Sequence, residues 1–406
     1  MLPVAHLKPF IHRIVIQNYK SIARCDLALG PFTLLVGPNG AGKSNFLDAL
    51  GLISDSLQST LEYGLRLRGG IKEVRRKSLG HPTHFGLSLW LTLPDLGPAH
   101  YAFRIGASSE GGFVVQREMA EIPRRNSYFE TRDGRLVRKS ENLLPNVLGN
   151  SLYLTAVSGN EAFYPLFRSL STMGFYNINP AIIREPQSHD SGTLLHRDGS
   201  NLAGVLKRMR EKDGPALERV KDYLRQICPG IQDVDYLSLG PKETLEFKQD
   251  MQGARHPWRF YASNTSDGTL RALGVLAALF QSLNGTGTYA PLIGIEEPEV
   301  AIHPGAAAVL LDALLEASRR SQVVVTTHSP ELLDHRSIEP ENIVSVDIED
   351  GETLLAPCDP ASVNVIKSDL YTAGELLRTR QLQPDTSKIP SKIGQLDLFR
   401  TGTFND

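Results

Sequence analysis

The octapeptide Gly37-Pro38-Asn39-Gly40-Ala41-Gly42-Lys43-Ser44 matches the pattern G-x-x-x-x-G-K-[ST] at every fixed position. Glycines there free the backbone to curl until successive N–H groups face inward, and a lysine and a hydroxyl stand where that concavity opens. Such a loop works between a buried strand and the N-terminus of a helix, whose free N–H groups complete the cradle. Both flanks are present. Residues 31–36 are an apolar run, and Phe46, Leu47, Leu50, Ile53 and Leu57 recur behind the loop at helical spacing. The chain is therefore expected to build an α/β core around a polyphosphate site. Gly37, Pro38, Asn39, Gly40, Ala41, Gly42, Lys43, Ser44 and Asn45 would surround the phosphates of ATP. Lys43 would reach the β- and γ-oxygens and the Ser44 hydroxyl would ligate Mg²⁺. No Asn-Lys-x-Asp base-reading run occurs, which disfavours a GTPase.

Composition narrows the setting. With 406 residues, 41% hydrophobic and 22% charged, the chain has material for one large domain or two ordinary ones. A net charge of −2 means that any nucleic-acid surface is a local patch. Cys25, Cys228 and Cys358 are far apart, which excludes a local zinc knuckle and suits a reducing compartment. The N-terminal stretch has no apolar core of leader type, and no run reaches membrane-spanning length. A cytoplasmic protein without a membrane partner is the expectation.

Periodicity then changes along the chain. Residues 72–139 alternate in short apolar runs with turns such as Asp133-Gly134, which predicts an antiparallel meander. Leu202, Val205, Leu206 and Met209 make one helical stripe, and Leu217, Val220, Leu224 and Ile227 make another after Asp213-Gly214-Pro215. Strand-like and helical runs follow to a hairpin at Asp350-Gly351. From about residue 379 the pattern lapses, and a flexible tail is expected. The predicted division is 1–140 as a first ATPase lobe with the meander, 141–230 as a helical insertion, 231–378 as a second lobe and 379–406 as the tail.

A phosphate loop needs acids at the end of a neighbouring buried strand. Residues 292–295 run into Glu296-Glu297-Pro298-Glu299. Glu296 would hold Mg²⁺ through water, Glu297 would orient and deprotonate the attacking water, and Glu299 is read as serving the turn. A third strand, residues 323–326, ends at Thr327-His328, and His328 could bridge the γ-phosphate and the water. Finally Ser266, Asp267, Gly268 and Thr269 open an apolar helix that reaches Arg271. That run is an ordinary helix cap and also an anion-binding surface.

In this order the motifs resemble the ABC-type ATPases of the SMC, RecF and OLD (overcoming lysogenization defect) kind. The resemblance runs from Ile16-Gln17-Asn18-Tyr19-Lys20-Ser21 through the glycine-rich loop to a signature-like Ser266 to Arg271, the acids Glu296 to Glu299 and the switch at His328. It implies an α/β P-loop NTPase of ABC type with an antiparallel β-meander subdomain and a helical insertion. It also implies a homodimer formed on ATP binding, or a higher oligomer, in which Ser266–Thr269 of one subunit faces the other's γ-phosphate. The Glu-Glu-Pro-Glu run and Ile302-His303-Pro304 look most like small ATPases related to the ATPase part of OLD nucleases. The usual Ser-Gly-Gly-Gln core stands here as Ser-Asp-Gly-Thr, and Gln116 and Gln187 are weak candidates for the Q-loop glutamine. Fewer than eighty residues follow His328, so a Toprim nuclease domain within this chain is not expected.

Two further features suggest partners. Lys72, Arg75, Arg76 and Lys77 cluster, and residues 117–139 carry seven Arg or Lys against four acids, with Tyr128 and Phe129 between them. Such a face could hold a DNA backbone or be a solvated sheet surface. In the tail, Gln395, Leu396, Asp397, Leu398 and Phe399 look like the pentapeptide by which bacterial replication and repair proteins dock on the sliding clamp. The same apolar residues could equally fold back on the chain's own core.

The expected function is an ATP-hydrolysing, DNA-associated dimer in repair, recombination or phage defence, with a separately encoded nuclease or toxin as effector. The alternative is an ATP-gated scaffold that holds or releases a protein effector without touching DNA.

Overall fold

The computed structural model describes residues 8–78, 82–108, 111–140, 148–250, 256–283, 287–391 and 397–399. The chain divides into two compact units, one of Met1–Met173, Glu339–Leu370 and Arg380–Asp406, the other of Gly174–Ile338 and Tyr371–Thr379.

The first unit contains the meander. Seven antiparallel strands lie in the order Ile22–Ala28, Ile11–Tyr19, His84–Leu93, Gly97–Ala107, Phe113–Ile122, Ser127–Arg132, Arg135–Lys139. The last pair turns at Asp133 (φ 49°) and Gly134 (φ 76°), a two-residue reversal that needs left-handed backbone at both positions. The strand Phe32–Val36, buried throughout, pairs in parallel with Ile343–Glu349. That strand reverses at Asp350 and Gly351 into Glu352–Pro357, which is the expected hairpin. Behind Phe32–Val36, the 16-residue helix Lys43–Gln58 buries Phe46, Leu47, Leu50, Ile53 and Leu57.

One carboxylate on that helix explains the sequence Asn18 to Ser21. Lys20 sits in left-handed backbone (φ 47°) between two paired strands. The turn brings Lys20 Nζ to 2.6 Å and Tyr19 OH to 2.8 Å from Asp48 Oδ2, while Arg68 Nε reaches Oδ1 at 2.8 Å. Burial alone would push the Asp48 carboxyl up, but Arg68 and Lys20 outweigh it and hold it below the usual carboxylate range.

The second unit has a small antiparallel sheet and a parallel one. In the first, Lys242–Gln249 pairs with Ile231–Leu239 on one edge and with Gln187–Ser188 and Trp258–Tyr261 on the other. In the second, Leu292–Glu296 lies between Gln322–Thr327 and Gly174–Tyr176, all parallel. The helices Leu202–Lys212, Gly214–Ile227, Asp267–Phe280 and Ala307–Ala317 supply apolar faces to this unit. The turn between the first two is capped by Asp213, whose side chain accepts from Ala216 N–H.

Two expectations are corrected. The compact units do not divide after residues 140 and 230. The start of the expected helical insertion closes on the meander, because buried Glu118 accepts from Tyr153 N–H and Leu154 N–H, at 2.5 and 3.0 Å. Nor is the described part of the segment from 379 a loose tail. Asp385 N–H donates to Pro357 O at 2.9 Å and Ser345 Oγ to Leu382 O at 3.0 Å. Leu398 and Phe399 are buried in a cluster with Val15, Trp90, Ala102 and Met119. The fit depends on small residues, since a Cβ on Gly86 would come within 2.2 Å of Leu398 Cδ1. Arg117 covers the Phe399 ring at 4.0 Å. Leu398 and Phe399 therefore fold back on the chain's own core, while Gln395 and Leu396 lie outside the described residues.

Candidate functional site

The glycine-rich loop leaves Phe32–Val36 and enters Lys43–Gln58 entirely within the first unit. Gly40 and Gly42 have φ of 81° and 102°, in the region that favours glycine. Two close approaches add a second reason for glycine. A Cβ on Gly37 would lie 1.9 Å from Val346 O, and one on Gly42 2.1 Å from Thr353 Oγ1. Lys43 is buried, and its Nζ donates to Gly37 O at 2.8 Å and Pro38 O at 3.0 Å, so the ammonium sits inside the curl of the loop. Asn39, Gly40 and Ser44 are exposed, and no side chain caps the helix. Its first N–H groups, the adjoining loop and the dipole therefore face an approaching anion. The loop fits a polyphosphate. Asn45 has a second task. Its Nδ2 donates to Ser21 Oγ at 2.6 Å, and Ser21 Oγ lies 2.6 Å from Thr353 Oγ1.

The acids and His328 lie in the second unit. Glu296 ends a strand buried along its length, and its own side chain is largely covered. Glu297 follows with φ of 44°, rare for a residue with a Cβ. Its N–H donates to Thr326 O at 2.9 Å and its carbonyl accepts from Arg271 Nη1 at 3.4 Å. The twist aims its Oε1 to within 3.3 Å of His328 Nδ1. Glu299 does more than close the turn. It accepts from Thr327 Oγ1 at 2.6 Å, and Thr327 Oγ1 in turn accepts from Ser329 N–H at 3.0 Å, so Glu299 moors the loop that carries His328. Burial pushes the Glu299 carboxyl up.

Ser266, Asp267, Gly268 and Thr269 start the helix Asp267–Phe280 as a cap. Ser266 Oγ accepts from Thr269 N–H at 3.2 Å, and Asp267 pairs with Arg184. Gly268 packs against the turn after the acids, where a Cβ would come within 2.2 Å of Ala301 O. A cavity of about 450 Å³ opens on Ser266, Gly268 and Thr269, with Phe247, Ile302 and His303 among its other walls.

The Ser44 hydroxyl in the first unit and the Glu296 carboxylate in the second are each the kind of oxygen ligand that Mg²⁺ takes alongside phosphate oxygens and water. Among the described residues no group of three or more His, Cys, Asp or Glu could hold a metal by itself.

Comparison with known proteins finds two family models that overlap these segments. A family model described as "AAA ATPase domain" matches residues 10–77, around the loop, and one described as "AAA domain, putative AbiEii toxin, Type IV TA system" matches residues 194–334, around the acids. The chain is 22% identical to the Old nuclease of Escherichia phage P2 over 79% of its own length and 56% of the nuclease's. It is 23% identical to the OLD nuclease of Thermus scotoductus over 84% of its length and 63% of that protein's. A RecF protein of Rhizobium johnstonii is 22% identical, covering 76% of this chain and 90% of the RecF. In fold it is similar to a crystal structure of an SMC head bound to the C-terminal winged-helix domain of ScpA, with a TM-score of 0.52 at 15% identity over 86% of this chain and 97% of that one. In its motifs and fold the chain is similar to the ABC-type ATPases of the SMC, RecF and OLD group.

It spans less than two thirds of the length of the two OLD nucleases it matches. Gln187, a candidate for the Q-loop glutamine, is committed elsewhere. Its amide donates to Gly199 O and accepts from Ala203 N–H, both at 2.9 Å. Several arginines of the expected DNA face are also engaged internally. Arg76 donates to Ser21 O at 2.7 Å, Arg117 pairs with Glu130 at 2.9 Å, and Arg125 donates to Glu161 O at 3.0 Å. No helix among the described residues is long and apolar enough to cross a membrane. Arg197, which bonds Glu296, has no sequence signal of its own.

Proposed function

We propose that this ATPase binds Mg²⁺–ATP with Lys43, Ser44 and Glu296, hydrolyses it with Glu297 as base and His328 as γ-phosphate partner, and uses the cycle as a dimerisation switch. Ser266–Thr269 of a second copy completes each site, and a separately encoded nuclease or toxin takes the output in DNA repair, recombination or phage defence. The observation that carries the reading is Glu297. Its backbone is held in a costly conformation by Thr326 and Arg271, and the conformation turns its carboxylate to His328. Strain of this kind persists where the surroundings over-determine it, which suits a residue that must point at a reacting water. The test is ATP turnover together with oligomeric state. Wild type should hydrolyse ATP, and Glu297→Gln should accumulate as an ATP-bound dimer. A wild type that binds no nucleotide overturns the reading.

A scaffold that never touches DNA is favoured by one observation, the internal bonding of Arg76, Arg117 and Arg125. Turnover measured with and without duplex DNA separates the two readings, because a DNA-associated enzyme responds to it and the scaffold does not.

A further inference from the structure

Arg197 reaches the acidic cluster from 99 positions away, with Nη2 at 2.8 Å from Glu296 Oε1. Its backbone is fixed before its side chain begins. Asn177 N–H donates to Arg197 O at 2.8 Å and Asn179 N–H to Asp198 O at 3.0 Å. On the following turn, Ser200 N–H donates to Asp198 Oδ1 at 2.9 Å and His196 N–H to Asn201 Oδ1 at 2.8 Å. Asn201 Nδ2 then donates to Asp190 Oδ1 and Leu194 O, both at 2.9 Å. A braced loop, rather than a swinging arm, presents the guanidinium.

Glu296 gives that contact its significance. Its side chain is only 11% exposed, so few waters are available to settle which oxygen points where. A carboxylate that serves a Mg²⁺ ion must offer an oxygen at a fixed angle, and groups that hydrogen-bond a ligand's remaining atoms set that angle. A bond to Oε1 restrains rotation of the carboxylate and would leave Oε2 for a cation.

We infer that Arg197 is a positioning residue for the metal, holding Oε1 of Glu296 so that its carboxylate is oriented for the Mg²⁺ of bound ATP. The inference rests on Glu296 as the metal acid, as proposed above. A guanidinium that only neutralised Glu296 would compete with the cation, and the two roles differ in sign.

The experiment titrates Mg²⁺ into the full chain with a fluorescent ATP analogue, with a metal-free baseline in EDTA. Arg197→Ala should raise the half-saturating Mg²⁺ concentration about tenfold or more, the usual scale for losing a group that orients a metal ligand. Binding in EDTA should stay at the wild-type level. Arg197→Lys should recover part of the loss, and Arg197→Ala should add nothing in a Glu296→Gln background. An unchanged or lowered Mg²⁺ requirement in a folded variant overturns the inference. Should Arg197→Ala fail to fold, Arg197→Lys and Arg197→Gln carry the comparison, and equal Mg²⁺ demand in both and in wild type overturns it. A wild type that binds no nucleotide overturns the site and the inference together. A wild type that binds, with a Mg²⁺ curve indifferent to Arg197, overturns the inference alone.

Discussion

Glu297 Oε1 lies 3.3 Å from His328 Nδ1, and the contact exists because Glu297 takes a backbone φ of 44°. An ordinary extended residue at that position would carry its side chain roughly perpendicular to the sheet instead. The chain accepts a conformation costing on the order of 1–3 kcal/mol, and two neighbours hold it there.

The first prediction concerns that pair. Glu297→Gln keeps the shape and removes the base, so turnover should fall about 10²- to 10⁴-fold while nucleotide affinity is retained. Phosphate release and equilibrium binding, measured on the same preparation, check both halves.

Glycines of the phosphate loop should differ sharply from one another. Gly40→Ala meets nothing within 4 Å and is penalised only by its φ of 81°, so about 1–2 kcal/mol of stability should be lost. Gly37→Ala drives a methyl group into Val346 O, a backbone atom that cannot rotate away. Its loss should reach about 3 kcal/mol or more, and chemical denaturation will rank the two.

Stability should depend on pH through Glu118. Complete burial pushes its carboxyl up to about 7, against the pull of Leu154 N–H, Tyr153 N–H and Tyr101 OH, whereas the unfolded chain titrates near 4.5. Between these values the folded chain binds the proton more tightly, so stability falls as pH rises from about 4.5 to about 7 and levels off above. The full change is on the order of 3 kcal/mol. Denaturation across this range should give a slope in wild type that Glu118→Gln lacks.

Leu398 offers a test of the C-terminal segment. Leu398→Ala should destabilise the protein by about 2–5 kcal/mol, as for any fully buried leucine. A segment free to dock on another protein would leave the denaturation midpoint where it was.

Features set by local backbone chemistry were legible in the sequence. Gly40 and Gly42 mark the loop because only glycine takes those φ values comfortably, and Asp213 marks a helix start because its side chain satisfies a free N–H. Glu296 and Glu297 were legible because acids after a buried apolar run break the pattern on both sides of the boundary. The pairing of Arg197 with Glu296 was not, since an ion pair across 99 positions leaves no periodic trace. The division into units was hidden for a similar reason. Phe32–Val36 pairs with Ile343–Glu349, some three hundred positions on, and nothing in either strand names the other. The segment from residue 379 misled because polar residues outnumber apolar ones, although Leu398 and Phe399 are buried where Gly86 and Ala102 leave room.

The hydroxyls of Ser21 and Thr353 and the amide of Asn45 join three stretches of chain at the base of the phosphate loop. For anyone dissecting this protein, the consequence is that its nucleotide cradle cannot be cut out as an N-terminal piece. A fragment ending before residue 339 would contain the whole glycine-rich motif and lack the wall against which Gly37 and Gly42 are set.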